Sequence, residues 1–92
     1  MQHPSTNNIS KKDAQHVLNF FGRGGVQPSG FTQALLETLA RADSKNFAKL
    51  TIAFPGICNA WKLVTKSDGG VETLREIAGE KLAPVFAIQV AR

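Results

Sequence analysis

The sequence predicts an all-α protein: a single small bundle of four to five short helices. Three observations lead there. Apolar residues recur at i, i+3, i+4 and i+7 in successive segments, the period of a helix that buries one face. Gly, Pro, Asp and Ser stand between those segments, where helices start and stop. The one short β-branched run, Val85 to Val90, has no partner run elsewhere in the chain.

Residues 1–9 (MQHPSTNNI) are polar, contain Pro4 and lack periodicity, so they are expected to form a flexible arm before a single helical domain over 10–92. Ser10 is a candidate N-cap, with Asp13 favourably placed at the positive end of the helix dipole. Ala14, Val17, Leu18 and Phe21 then carry a first helix over about 11–21, closed by the glycines at 22, 24 and 25. A loop, RGGVQPSG over 23–30, leads to a second helix over about 31–42. Its stripe is Phe31, Leu35, Leu39 and Ala42, and Leu36, off that stripe, implies burial on two sides.

Asp43 or Ser44 caps a third helix over about 45–54, with Phe47, Leu50 and Phe54 inward. Pro55-Gly56 breaks or kinks the chain, and Ile57, Ala60, Trp61 and Val64 restart a helical stripe. Ser67-Asp68-Gly69-Gly70 is a turn. Val71, Leu74, Ile77 and Ala78 mark a last helix, expected to end near Ala83 because Pro84 follows. The predicted core therefore holds Phe20 or Phe21, Phe31, Leu35, Leu39, Phe47, Leu50, Phe54, Trp61 and Leu74.

Composition narrows the function classes. At 92 residues the chain has room for one core. No apolar run is long enough to span a membrane. A single cysteine, Cys58, excludes an internal disulfide, and with only two histidines it excludes a zinc finger. No signal-peptide pattern is present, which points to the cytoplasm.

The formal charge is +4, and its position is informative. Lys45, Lys49, Lys62 and Lys66 lie between Ser44 and Ser67 with no acid among them, so this stretch supplies the whole excess. Such a field attracts anions: nucleotides, nucleic acid or an acidic protein. Each pair is spaced i, i+4 and is expected to face water, opposite the apolar stripe. The stretch lacks the arginines and interleaved aromatics of a base-stacking groove.

Enzyme chemistry finds no foothold. His16 lies off the apolar stripe, and Cys58 reads as a small buried hydrophobe. Glu72, Glu76 and Glu80 form a solvated stripe without histidine, so neither a metal nor a cofactor is called for. The glycine loop lacks the Lys-Ser/Thr of a phosphate loop and follows no strand.

Binding chemistry has two candidate places. Arg23, Gln27 and Ser29 surround the start of the second helix, whose free amides and a clamping Arg23 could take an anion. Arg41, Lys45 and Asn46 surround the next corner. Plain connection and capping are the alternative roles of these two segments. The second corner also outlines a weak helix-turn-helix, with Lys45, Asn46 and Lys49 outward.

The stretch GGVQPSGFTQALLETLARADSKNFAKLTIAFPG resembles a group of small proteins of tailed bacteriophages. They share a G-x-x-P-x-G-F entry to a helix, then R-A-D-x-x-N, then in some members F-P-G. The matching residues are Gly25, Pro28, Gly30 and Phe31, then Arg41, Ala42, Asp43 and Asn46, then Phe54, Pro55 and Gly56. The resemblance covers the middle third to half of the chain and stops after Trp61. It implies a phage accessory protein in the host bacterial cytoplasm, which sequesters a nucleotide signal of host defence or blocks a host protein.

The expected function is accordingly non-enzymatic binding of an anionic small molecule or a host protein through Arg23, Gln27, Ser29, Arg41, Lys45 and Asn46. A DNA-binding protein using Lys45, Lys49, Lys62 and Lys66 is the alternative. A homo-oligomeric virion component built through Val85 to Val90 is the second.

Overall fold

A computed structural model describes residues 8–80 of the chain. It is all-helical: α1 (Lys11–Phe20), α2 (Gly30–Arg41), α3 (Ser44–Ala53), α4 (Pro55–Lys66) and α5 (Gly70–Ile77). The Val85 to Val90 tail lies outside the described residues.

Local chemistry sets the helix ends. At α1 the Ser10 hydroxyl accepts from the Asp13 amide at 3.0 Å, and the Asp13 carboxylate accepts from the Ser10 amide at 3.3 Å. This is a reciprocal capping box. Ile9 and Ala14 occupy the two positions that a hydrophobic staple joins across such a box, and both are buried. Ile9 therefore belongs to the core, not to the flexible arm in which the sequence placed it. Its polar neighbours hid a single apolar residue whose burial depends on the cap. Ser10→Ala is expected to cost about 1 kcal/mol, a drop in denaturation midpoint measurable by urea titration.

Two helices stop in the same way. Gly22, at φ 71°, donates to the Asn19 carbonyl while Arg23 donates to Leu18, the paired bonds of a Schellman motif. Gly79, at φ 83°, donates to Glu76 while Glu80 donates to Arg75. Helix α5 thus ends at Ile77, short of the Ala83 expected from Pro84. A left-handed glycine closes the helix before the proline is reached.

Asp43 caps α3, its carboxylate accepting from the Asn46 amide at 2.8 Å. Pro55 is the first residue of α4, where its missing N–H costs nothing and its fixed φ suits a helix. The Pro-Gly pair starts a helix directly after α3 ends.

Helices α1, α4 and α5 pack on one another to form the centre, while α2 lies against α1 and α3 against α4. The core is aliphatic: Val17, Leu18, Leu36, Leu63 and Leu74 are 2% exposed or less. Most of the aromatic side chains predicted for it sit at its edge instead. Phe20, Phe21, Phe47, Phe54 and Trp61 are half-buried against the cluster, as is Leu50. Phe31 is 67% exposed and outside it. The cause is the rotation of α2. Leu35, Leu36 and Leu39 are all buried, and at about 100° per residue this arc's centre points about 90° away from Phe31. Leu36, the residue off the predicted stripe, turned the helix.

Candidate functional site

The loop before α2 spends its polar groups on the protein itself. The amides of Gly22, Arg23 and Val26 donate to α1 carbonyls, and that of Gly25 donates to the Glu80 carboxylate at 2.8 Å. The Arg75 guanidinium donates to the Arg23 carbonyl at 3.1 Å and lies 3.8 Å from the Glu80 carboxylate. Glu80, expected on a solvated stripe, has left the helix and joins this clamp. A carboxylate of the chain is therefore already held where an anion was expected. Arg23, Gln27 and Ser29 are exposed around it, and Ser29 makes no side-chain cap bond.

Arg41, Lys45 and Asn46 stand at the other end of α2. Twelve residues separate the two clusters, about 18 Å at helical rise, so the six residues do not form one site. What the structure does assemble at the α2–α3 corner is two concavities, one on each flank of α3. One, of about 430 Å³, is bordered by Arg41, Asn46 and Lys49 with Thr38, Ala42 and Leu50. Lys45 lies outside this lining and is exposed on α3.

The larger concavity, of about 650 Å³, lies between α2, α3 and α4. Leu39, Phe47 and Trp61 give it apolar surface. Ala40, Ala42 and Ala48 are too small to fill the space between the helices. Among the described residues, Lys62 and Lys66 are the charged side chains that line it, and no carboxylate or imidazole does. Its volume suits a small organic ligand.

The apolar wall is held in place. The Trp61 ring packs edge-on against Phe21, centroids 4.8 Å apart, and tilted against Phe20 at 5.6 Å. Lys62 Nζ lies 5.7 Å from the centre of the Phe47 ring, within cation–π range. Lys62 is thus half-buried, in contrast to the solvated position expected of it, while Lys45, Lys49 and Lys66 are exposed as expected. Residues Thr51 and Thr65 commit their hydroxyl protons to the carbonyls of Phe47 and Trp61, both at 2.9 Å. Against a ligand they offer lone pairs only, and the side-chain donors lining the groove are the Lys62 and Lys66 ammonium groups, the Ser44 hydroxyl and the Trp61 indole N–H.

Behind this wall Cys58 is fully buried. Burial pushes its thiol above the usual range, only partly offset by the Lys62 charge. A thiol in that state is a poor nucleophile, in keeping with its reading as a small hydrophobe. Among the described residues there is no cluster of three or more His, Cys, Asp or Glu able to hold a metal ion. Nor is any described helix long and apolar enough to cross a membrane.

Sequence reasoning placed Trp61 and Phe47 in the core and so missed the groove. The available signal was the alanines at 40, 42 and 48, which leave space wherever helices carrying them face a large neighbour. No protein-family model, no curated protein and no solved structure matches this chain.

Proposed function

We propose that the protein is a non-enzymatic binder that sequesters an organic anion in the α2–α3–α4 groove, the ligand class being a nucleotide. The observation that carries this reading is the pairing, in one concavity, of a fixed aromatic wall with two ammonium groups. Trp61 and Phe47 offer apolar surface to a flat or hydrophobic body, and Lys62 and Lys66 offer charge to its phosphate. Desolvation against the wall strengthens the ion pair beyond what exposed lysines reach alone.

The resemblance to tailed-phage proteins supplies the setting: an accessory protein in the host bacterial cytoplasm that removes a signal made by host defence. Binding without turnover suits that task, since it requires only affinity and abundance.

The test is a thermal-shift screen of the purified protein with linear and cyclic nucleotides, with inorganic phosphate and duplex DNA as comparators. A ligand at a hundredfold excess over its Kd is expected to stabilise the fold by about 2.7 kcal/mol. Ala40→Trp, which fills the groove from an exposed position on α2, is expected to abolish the shift, and Lys66→Gln to weaken it. A screen in which no nucleotide moves the transition, or in which Ala40→Trp leaves binding intact, sinks the reading. Duplex DNA binding that survives Ala40→Trp and falls steeply with salt would instead favour the nucleic-acid alternative through Lys45, Lys49, Lys62 and Lys66.

A further inference from the structure

The groove between α2, α3 and α4 has a covered part and an exposed end. Helices α3 and α4 are joined by the single residue Phe54 and pack on one another. Phe47 and Lys62 stand nearly equidistant in sequence from that corner, and the Lys62 ammonium lies 5.7 Å from the centre of the Phe47 ring. The two helices therefore run antiparallel. About one turn further from the corner, or about 5 Å, Ser44 of α3 stands opposite Thr65 and Lys66 of α4 on the groove lining.

Exposure follows the same axis. Leu39 is buried, and Phe47, Trp61 and Lys62 are half-buried, whereas Ser44, Thr65 and Lys66 are all exposed. Hydrogen-bonding capacity divides in the same way. Thr65 donates its proton to the Trp61 carbonyl, so the side-chain donors at the exposed end are Lys66 and Ser44. Asp43, not Ser44, caps α3, which leaves the Ser44 hydroxyl outside the helix cap. The Asp43 carboxylate also occupies the positive end of the α3 dipole. Attraction for an anion at this end therefore comes from the two side chains and not from the helix start.

We propose that the groove takes its ligand in one orientation, with the flat body against Trp61 and Phe47 and a terminal phosphate on Lys66 and Ser44. This rests on the nucleotide reading of the groove and narrows it to nucleotides with a free terminal phosphate. A doubly charged group loses least hydration at the exposed end, and an aromatic body gains most in the covered part. A phosphate monoester carries close to two charges at neutral pH. A cyclic mononucleotide carries one, on a phosphate folded back onto the sugar. A cyclic dinucleotide holds its phosphates between two bodies, so neither charge extends beyond a body to the exposed end.

For each of adenine, guanine and uracil, the probes are the nucleoside, its 5′-monophosphate and its 3′,5′-cyclic monophosphate, titrated calorimetrically into the purified protein. Cyclic di-adenylate and inorganic phosphate are comparators. The monophosphate of at least one base is expected to bind about tenfold or more tightly than its nucleoside, its cyclic form and both comparators. Lys66→Gln and Ser44→Ala are each expected to shrink that preference and to leave nucleoside affinity unchanged. Both positions are exposed, so the fold is retained, and an unchanged melting temperature of the free variants verifies it. The proposal is overturned if a cyclic form binds as tightly as the monophosphate, if inorganic phosphate does, or if the preference survives both substitutions. In those cases nucleotide binding that Ala40→Trp abolishes leaves the groove reading standing. Absence of any nucleotide binding, or binding that survives Ala40→Trp, overturns both.

Discussion

Gly70→Ala is expected to be among the most damaging single substitutions in the molecule, costing about 3 kcal/mol. At about 4–8 °C per kcal/mol for a domain of this size, the melting temperature should fall by about 12–24 °C. Gly70 is the first residue of α5 and is buried, and a Cβ placed on it would run into the Leu63 carbonyl of α4. That obstacle is helix backbone and cannot rotate aside. Moving it means separating α4 from α5, two of the three helices that form the centre. The gain in helix propensity from alanine, at most about 1 kcal/mol, opposes this and loses. Gly30 is the matched control. It also opens a helix, α2, but a Cβ there meets nothing within 4 Å. Gly30→Ala should therefore leave the melting temperature unchanged or raise it slightly, and the difference between the two variants isolates the collision from the propensity. Comparable losses for both would show that the α4–α5 contact is not as close as described.

The second large effect separates two residues of α2. Leu36→Ala is expected to cost about 3 kcal/mol, because a fully buried leucine leaves both its transfer energy and a cavity behind. Phe31→Ala removes a larger side chain and should cost about 1 kcal/mol or less, the worth of one partly exposed aromatic contact with Phe54. In a domain whose whole stability is about 5–10 kcal/mol, the first variant should show a clearly lowered urea midpoint and the second only a slight one. The helical stripe in the sequence ranks them the other way, so the pair measures how far tertiary packing rotated α2. If Phe31→Ala proved the costlier, the exposed position of that ring would be wrong.

Much of the architecture was legible because it is made of local chemistry. Ser10 with Asp13, Asp43 with Asn46, and Gly22 after Phe21 each act within a few residues, so spacing alone located those helix ends. Gly79 is equally local: its left-handed backbone closes α5 at Ile77, ahead of the end near Ala83 that Pro84 predicts. Ile9 was lost among polar neighbours. One buried residue has no period, and only the cap and staple around it explain its position.

The site was less legible. Arg23, Gln27 and Ser29 looked like an anion cradle because glycines and a helix start are sequence features. That a carboxylate 55 positions away, Glu80, takes the Gly25 amide is not one. The four lysines lie as two pairs on the helices expected to carry them, and only Lys62 departs from the exposure expected of it. Lys62 folds over Phe47 into the groove, Lys66 joins it on the groove lining, and Lys45 and Lys49 remain on α3.

By itself the sequence determined the all-α class, a bundle of four to five short helices with the approximate bounds of all but the end of the last, and the segment that carries the excess charge. These follow from periodicity, capping and composition, each of which acts along the chain. Only the tertiary structure decided which face of each helix turns inward, that the core is aliphatic with its aromatics at the edge, and that alanines leave a groove beside Trp61. Those are matters of volume and approach between residues distant in sequence. A helical stripe wide enough to include both Phe31 and Leu36 does not say which of them the neighbouring helices will cover.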